Sequence, residues 1–136
     1  MIKTFDEYLA ENEKTMRYHD IVETYNGVYF KENAEIGDGA TVSLYTDRHA
    51  YDIIKRTPCT LTLRRCKATL VPEFKPEFIV GGFCAHCTNQ EEQRYTYEEN
   101  PNGEVITAHW SKKNNRFYYL GMVVHPNRRE YYDYNY

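Results

Sequence analysis

The segment Cys84-Ala85-His86-Cys87 contains the residue types best suited to metal chemistry in this chain. Its C-x-x-C spacing, which follows Gly81-Gly82 after one residue, is typical of a knuckle in which two thiolates bind one zinc ion. A tetrahedral site needs two more ligands, and the candidates are Cys66, Cys59, His86 and His109. Because Cys59 and Cys66 do not form a second C-x-x-C pair, structural thiols are the preferred interpretation and bound zinc is the alternative. We therefore predict no cofactor.

A second chemical constellation is Asp47-Arg48-His49 with Asp52, which places acids, a base and a cation within six residues. We expect residues 46–49 to form a loop between two strands, a frequent position for functional groups. No activated nucleophile or phosphate-cradling glycine loop accompanies them in the sequence. The preferred interpretation is that the histidine and a neighbouring aspartate form a hydrogen-bonded pair on the surface. We predict that the protein is not an enzyme.

The third constellation combines basic and aromatic side chains. Basic groups neutralise phosphates and exposed aromatic rings stack on bases, so small barrels with both often hold single-stranded nucleic acid. The same residue types dominate protein interfaces, and a solvated basic face over an aromatic core is the alternative. The candidate binding residues are Tyr45, Arg48, His49, Tyr51, Lys55, Arg56, Arg64, Arg65, Lys67, Trp110, Lys112, Lys113, Arg116, Arg128 and Arg129.

The charge distribution supports one basic face. The formal net charge is −3, yet residues 36–72 carry six basic and three acidic groups, and residues 105–136 carry five and two. The acidic excess lies in residues 1–35 and 73–104. If the two basic blocks pair in one sheet, the molecule has a basic face despite its acidic total.

Length and composition predict a single β-rich domain spanning residues 1–136. The chain contains 14 Tyr, 6 Phe and 1 Trp, and Tyr packs well on a pleated surface. No apolar run approaches the roughly 20 residues that span a bilayer, and residues 1–14 lack the apolar core of a signal peptide. We therefore expect no membrane association, a cytoplasmic location and reduced cysteines.

The N-terminal residues 1–36 are predicted to form a helix and a hairpin. Thr4-Phe5-Asp6-Glu7 matches a capping box, and apolar residues at helical spacing predict a helix ending near Tyr18, with its apolar stripe on the sheet. Residues 21–30 are predicted to form two short strands around Asn26-Gly27, the preferred type I′ turn.

Residues 37–136 are predicted to form an antiparallel barrel, SH3-like or of a related small type. Alternation predicts strands at 41–45, 51–57 and 60–64, with Leu61 and Leu63 facing inward. Two prolines make residues 70–78 an extended edge segment, followed by a cysteine-bearing loop. The segments 93–97 and 104–110 are predicted to form a hairpin, followed by strands 116–120 and 122–124 and a Tyr-rich terminal strand. The fold class is thus mainly β, with an N-terminal amphipathic helix.

Several segments together form a distinctive set: GDGATVSLYTDRHAYDIIKRT, TLTLRRCKATL, PEF with GGFCAHCTN, EENPNGEV, AHWS and YYDYNY. These segments resemble small proteins of gut-bacterial phages and mobile elements, a family without an established activity. The matching segments cover most of the chain after Gly37. The resemblance implies a phage or plasmid accessory protein acting in a bacterial cytoplasm. It transfers no catalytic residues, and the family tends to keep Cys87 but not Cys84, which weakens the zinc interpretation.

Three functional hypotheses follow. The first is a non-enzymatic nucleic-acid-associated module, whose partner is single-stranded DNA or RNA. The second is an inhibitor that binds a host protein, for example an anti-CRISPR-like inhibitor of a defence system, in which acidic residues 91–99 mimic nucleic acid. The third is a zinc-dependent protein that uses the Cys84/Cys87 segment. The ligand and the oligomeric state are not predicted.

Overall fold

A computed structural model describes residues 3–81 and 84–135, without the side chains of residues 80, 81, 84 and 85. The described residues form two helices, followed by ten strands and one short 3-10 turn. In chain order they are α1 (Phe5–Asn12), α2 (Tyr18–Asn33), β1 (Gly39–Ser43), β2 (Arg48–Thr57), β3 (Thr60–Arg65), β4 (Lys67–Leu70), β5 (Phe78–Gly81), β6 (Cys84–Cys87), the turn Gln90–Glu92, β7 (Tyr95–Glu98), β8 (Val105–Ser111), β9 (Arg116–Tyr119) and β10 (Met122–Pro126).

Six strands form a closed antiparallel barrel in the order β1-β10-β9-β8-β3-β2. The predicted mainly β fold with a small barrel is confirmed, and its assignment to the SH3-like class stays a prediction. The two basic blocks meet in this barrel, because β1 pairs with β2 on one side and with β10 on the other. Closure also removes the open edges of the sheet.

The barrel interior contains the apolar side chains that the alternation predicts. Leu61 and Leu63 are fully buried beside Ile53, Val42 and Phe117. Each such side chain contributes roughly 1.5–3 kcal/mol when it leaves water. Phe30 of α2 joins the same cluster, with its ring centroid 5.8 Å from that of Phe117.

The predicted hairpin at residues 21–30 is wrong, since this stretch is the middle of α2. Gly27 does not serve a turn. A Cβ at Gly27 would lie 1.9 Å from the backbone oxygen of Asn115, so glycine is required for the helix to approach the β8–β9 turn. Lys31, one turn later, lies 5.6 Å from the ring centroid of Trp110 on the same end of the barrel.

The predicted N-terminal helix is shorter than expected and packs elsewhere. Thr4 caps α1 by accepting from the Glu7 backbone N–H at 3.2 Å, as the capping box predicts. However, α1 ends at Asn12, and its apolar stripe contacts α2 rather than the sheet. The Phe5 and Tyr8 rings lie 5.3 and 5.7 Å from that of Tyr25.

The predicted hairpin of residues 93–97 with 104–110 is also wrong, because β7 pairs with β4 and β8 pairs with β3. β7 and β8 run in the same direction along the nearly continuous strands β3 and β4, and residues 99–104 loop out between them. Gly103 permits this, since a Cβ there would lie 2.2 Å from the Arg65 backbone oxygen.

Two further segments differ from the predictions. The cysteine-bearing segment is not a loop, because β6 pairs with β5. Arg48 and His49 belong to β2 rather than to the predicted loop, which comprises residues 44–47.

The C-terminal segment, residues 127–135, is not the predicted strand. It makes a single β-bridge, between Tyr131 and Arg48. Side chains from earlier in the chain hold this segment in place. The Gln93 amide donates to the Tyr132 backbone oxygen and accepts from the Tyr132 N–H, and the Asp47 carboxylate accepts from the Asp133 N–H. Within the described part of the chain, no helix is long and apolar enough to cross a membrane.

Candidate nucleic-acid interface

A groove of about 890 Å³ lies between α2 and the sheet formed by β1 and β10. We call it the basic groove. Four arginines and two carboxylates line it, so cations exceed anions by two. These residues are Arg48, Arg116, Arg128, Arg129, Glu23 and Asp38.

Strand pairing brings the groove-lining residues of the barrel together. Ser43 lies opposite Arg48 in the β1–β2 ladder, and Thr41 lies opposite His125 in the β1–β10 ladder. Arg116 directly precedes Phe117, which pairs with Val124. Residues that lie opposite each other point to the same face, so Arg48, His125 and Arg116 lie on one outer surface.

Arg128 is fixed at one end of the basic groove. Its Nε donates to Asp52 Oδ1 at 2.8 Å, and its Nη2 donates to the Gly37 backbone oxygen at 2.9 Å. A Cβ at Gly39 would lie 2.4 Å from the Arg128 Cγ, so glycine makes room for this side chain. Arg128 is thereby a fixed charge that is partly neutralised by Asp52.

The carboxylates of the groove are already engaged. Glu23 forms an ion pair with Arg116, and the Asp38 carboxylate accepts from the Glu35 backbone N–H at 2.9 Å. Arg48 stacks on Tyr131, with its Cζ 5.2 Å from the ring centroid. In the described ranges, neither Arg48 nor Arg129 forms an ion pair. These two arginines are exposed cations available to an anionic ligand.

Exposed tyrosines accompany these cations. Tyr29 lines the basic groove from α2 and is half exposed. Tyr45 lies in the β1–β2 loop, three residues before Arg48, and is 90% exposed. Such rings give a flat apolar surface on which a base can stack.

His125 is a half-buried residue of the groove that lies among arginines. Burial lowers its pKa from the ordinary value, and the charges of Arg116, Arg48 and Arg129 lower this pKa further, while Glu23 opposes them. The imidazole is therefore neutral near pH 7. It adds a hydrogen-bonding group without adding a charge.

Several predicted binding residues lie away from the groove, in structural contacts. Tyr51 is buried in the barrel, Arg65 pairs with Glu130 and Arg64 pairs with Glu99. Arg56 donates to the Ala34 backbone oxygen at 2.5 Å. Trp110 packs its ring against Phe117, with centroids 5.1 Å apart.

The remaining predicted residues are dispersed. His49 is half-buried opposite Val42 in β2. The lysines are exposed on β2, on β4 and in the β8–β9 turn, and they are Lys55, Lys67, Lys112 and Lys113. The groove thus contains Arg48, Arg116, Arg128 and Arg129 of the predicted set, and Tyr45 lies close to Arg48 in the chain.

The thiols of Cys66 and Cys87 lie in separate environments. Cys66 is buried and donates to Asp52 Oδ1 at 3.3 Å, and burial, with the nearby Asp52, raises its pKa to about 11. Cys87 is buried beside Asn89, while His86 is exposed. The described residues contain no group of three metal-ligating side chains, and the Cys84 side chain lies outside them. The zinc hypothesis stays a prediction.

The acid–base constellation does not converge on one site. Asp47 holds the C-terminal segment through the Asp133 N–H, at 2.8 Å. Asp52 binds Arg128 and Cys66. Both carboxylates therefore have structural partners, and His49 lies on the strand between them.

Sequence reasoning missed His125, Thr41, Glu23 and Tyr29 as groove residues. For His125 a signal existed, because it directly follows the predicted strand 122–124, and continued alternation from the buried Val124 would point it outward. For Glu23 and Tyr29 the signal was hidden by the wrong assignment of α2 as a hairpin. Comparisons with protein-family models, with curated proteins and with solved structures give no match.

Proposed function

We propose that the protein is a non-enzymatic binding protein whose basic groove holds the backbone of a single-stranded nucleic acid. The observation that carries this proposal is the convergence of four arginines on one groove, two of them without an acidic partner among the described residues. Arginine is suited to this role because its planar guanidinium donates bidentately to phosphate oxygens.

Each part of the groove has a role in this proposal. Arg48 and Arg129 bind phosphates directly, while Arg116 and Arg128, which are paired with Glu23 and Asp52, form fixed polar walls of the groove. Tyr29, which lines the groove, stacks on a base, and the exposed Tyr45 of the β1–β2 loop offers a second ring near Arg48 in the chain. Stacking and phosphate contacts discriminate little between base sequences, so we expect a weak preference for particular nucleic-acid sequences.

The resemblance stated above adds a biological setting to the proposal. We propose that the protein is an accessory protein of a phage or other mobile element and acts in the cytoplasm of a bacterial host. The matching segments include Arg48, which lies in the basic groove. They supply no activity, so the proposed ligand depends on the groove alone.

Fluorescence anisotropy with a labelled oligothymidylate tests the nucleic-acid proposal. The key variant is R48A/R129A, and the matched control is K67A/K75A, which removes two exposed lysines outside the groove. Single-stranded binding changes log K by about 0.7 per phosphate contact and log unit of salt. We therefore expect R48A/R129A to reduce the salt slope by about 1.4, since two phosphate contacts are lost.

The control K67A/K75A has the same change in net charge and should keep most of the slope. Equal losses in both variants would show nonspecific attraction to the whole surface and would contradict a role for the groove. Absence of wild-type binding at low ionic strength would remove the nucleic-acid proposal altogether, because phosphate attraction is strongest there.

A host protein is the alternative partner, and one observation favours it. Phe78 and Ile79 on β5 are 50% and 62% exposed, and exposed apolar side chains often mark protein interfaces. The charge-mimicry version is less well supported, because Glu91 accepts from the Tyr131 hydroxyl and Glu99 pairs with Arg64. Capture of a stoichiometric host protein that I79S abolishes, and R48A/R129A does not, would favour this alternative.

A further inference from the structure

His125 lies on the floor of the basic groove, at the centre of its positive charges. In β10 it faces Thr41 of β1 across the ladder, and Arg116 occupies the adjoining position on β9. Thr41 carries no charge, and its hydroxyl donates to the Asn127 oxygen at 2.7 Å. The imidazole lines the groove, and among the described residues its neighbours on β1 and β9, Thr41 and Arg116, supply no carboxylate.

Charged groups on several elements act on His125. They are Glu23 of α2, Arg48 of β2, Arg116 of β9 and Arg129 after β10. Asp38 and Arg128 line the same groove. Of the carboxylates, Glu23 binds Arg116 and Asp38 binds a backbone N–H. Positive charge thus dominates around the ring. Protonation of the imidazole adds a further cation, which is unfavourable until an anion enters the groove.

We propose that His125 contacts the phosphates bound in the basic groove and that nucleic-acid binding is coupled to proton uptake by its imidazole. This inference rests on the proposed function. A phosphate beside the ring supplies the negative charge that the empty groove lacks. Binding therefore raises the protonated fraction of the ring, and the imidazolium donates a charge-assisted hydrogen bond to a phosphate oxygen.

The direction of the pH dependence follows from linkage. The pKa of His125 is lowered in the free protein, and a bound phosphate raises it. A ligand that raises a pKa binds the protonated protein more tightly, so affinity increases as the pH falls. Each unit by which binding raises the pKa increases affinity about tenfold across the titration.

Oligothymidylate binding between about pH 8 and about pH 5 tests the coupling, and the acidic end is needed because the His125 pKa lies below its ordinary value in the free protein. Thymine has no group that titrates in this range. We expect wild-type affinity to increase by about threefold to tenfold toward acid, corresponding to 0.5–1 pKa unit. H125Q should bind with nearly constant affinity, while H109Q, altered at an exposed histidine of β8, should keep the wild-type slope.

An NMR titration of the wild-type imidazole provides a readout that does not depend on a variant. The His125 pKa should be higher in the complex than in the free protein. Equal pH slopes for wild type and H125Q, or a His125 pKa that the oligonucleotide leaves unchanged, would overturn this inference. Either result is compatible with the proposed function, which is tested separately by wild-type binding at about pH 8 in low salt.

Discussion

Arg65 and Glu130 form two parallel hydrogen bonds, each 2.7 Å long, between the guanidinium and the carboxylate. Glu130 Oε1 also accepts from the Ala50 N–H at 2.8 Å, and the Glu130 N–H donates to the Tyr97 hydroxyl oxygen at 2.8 Å. One residue of the C-terminal segment is thus fixed to β2, β3 and β7. Because Arg128 and Arg129 directly precede it, this pair also holds one wall of the basic groove.

Replacing Glu130 by Ala is expected to destabilise the fold by about 1.5–3 kcal/mol, because charge-assisted bonds are lost and Arg65 keeps no acidic partner. Chemical denaturation measures this change. E99A is the matched control, since Glu99 also pairs with an arginine but its side chain is 72% exposed. It should change stability by about 0.5 kcal/mol or less. Equal effects of E130A and E99A would contradict the structural role of Glu130.

Replacing Gly27 by Ala should destabilise the protein, although alanine is the better helix former. A Cβ would lie 1.9 Å from the Asn115 backbone oxygen, and relief of such a clash costs about 1–3 kcal/mol. N26A, at the preceding exposed helical position, is the control and should be neutral or slightly stabilising. A rise in melting temperature for G27A would show that α2 does not pack against the β8–β9 turn.

The alternation of apolar residues predicted most barrel strands, because inward side chains such as Leu61 and Leu63 leave a period of two. It did not predict α2, since the need for Gly27 comes from Asn115, far away in the sequence. Nor did it predict that residues 99–104 loop out, because a local turn signal does not say which strands then pair. Local sequence and long-range packing here favour different structures, and packing decides.

The basic groove shows the same limit. The charge distribution predicted a basic face, and the candidate binding residues included Arg48, Arg116, Arg128 and Arg129. The candidates also included Arg64 and Arg65, because composition does not show which arginines have acidic partners. Pairing of β1 with β10 determines the groove, and this contact joins residues more than 80 positions apart.

Replacing Leu120 by Asn should stabilise the fold. Leu120 has φ = 48° in the β9–β10 turn and is 82% exposed, and a leucine in this left-handed region costs roughly 1–2 kcal/mol. Asparagine tolerates the conformation and precedes Gly121, giving the preferred Asn-Gly turn. We expect a gain of about 0.5–1 kcal/mol, measured by thermal unfolding. L120A retains the strain and should give no gain; a similar gain there would point to another cause.

The Cys66 thiol should react slowly with alkylating reagents. It is 4% exposed, and its pKa is raised to about 11 from 9.0, so little thiolate forms at pH 8. Timed alkylation with peptide mapping should modify the exposed Cys59 first. The reverse order would contradict the buried placement of Cys66.

The same pKa shift predicts a loss of stability in alkali. The unfolded chain releases the Cys66 proton near its ordinary value of 9.0, while the folded protein keeps it to about 11. The contribution of the thiol is thus fully present below pH 9.0 and is lost as pH rises to about 11. The C66A variant should lose less stability than the wild type over this pH range. An equally steep fall in C66A would show that groups other than the Cys66 thiol cause the loss.

Chemical-shift mapping with oligothymidylate at low ionic strength tests the central claim most directly. We predict that the largest backbone changes occur around the basic groove, at Thr41, Ser43, Arg48, His125 and Arg129, with little change in the β4–β7 sheet. Changes centred on β4–β7 or on the β5–β6 hairpin, with the groove residues unaffected, would contradict the assignment of the groove as the nucleic-acid interface.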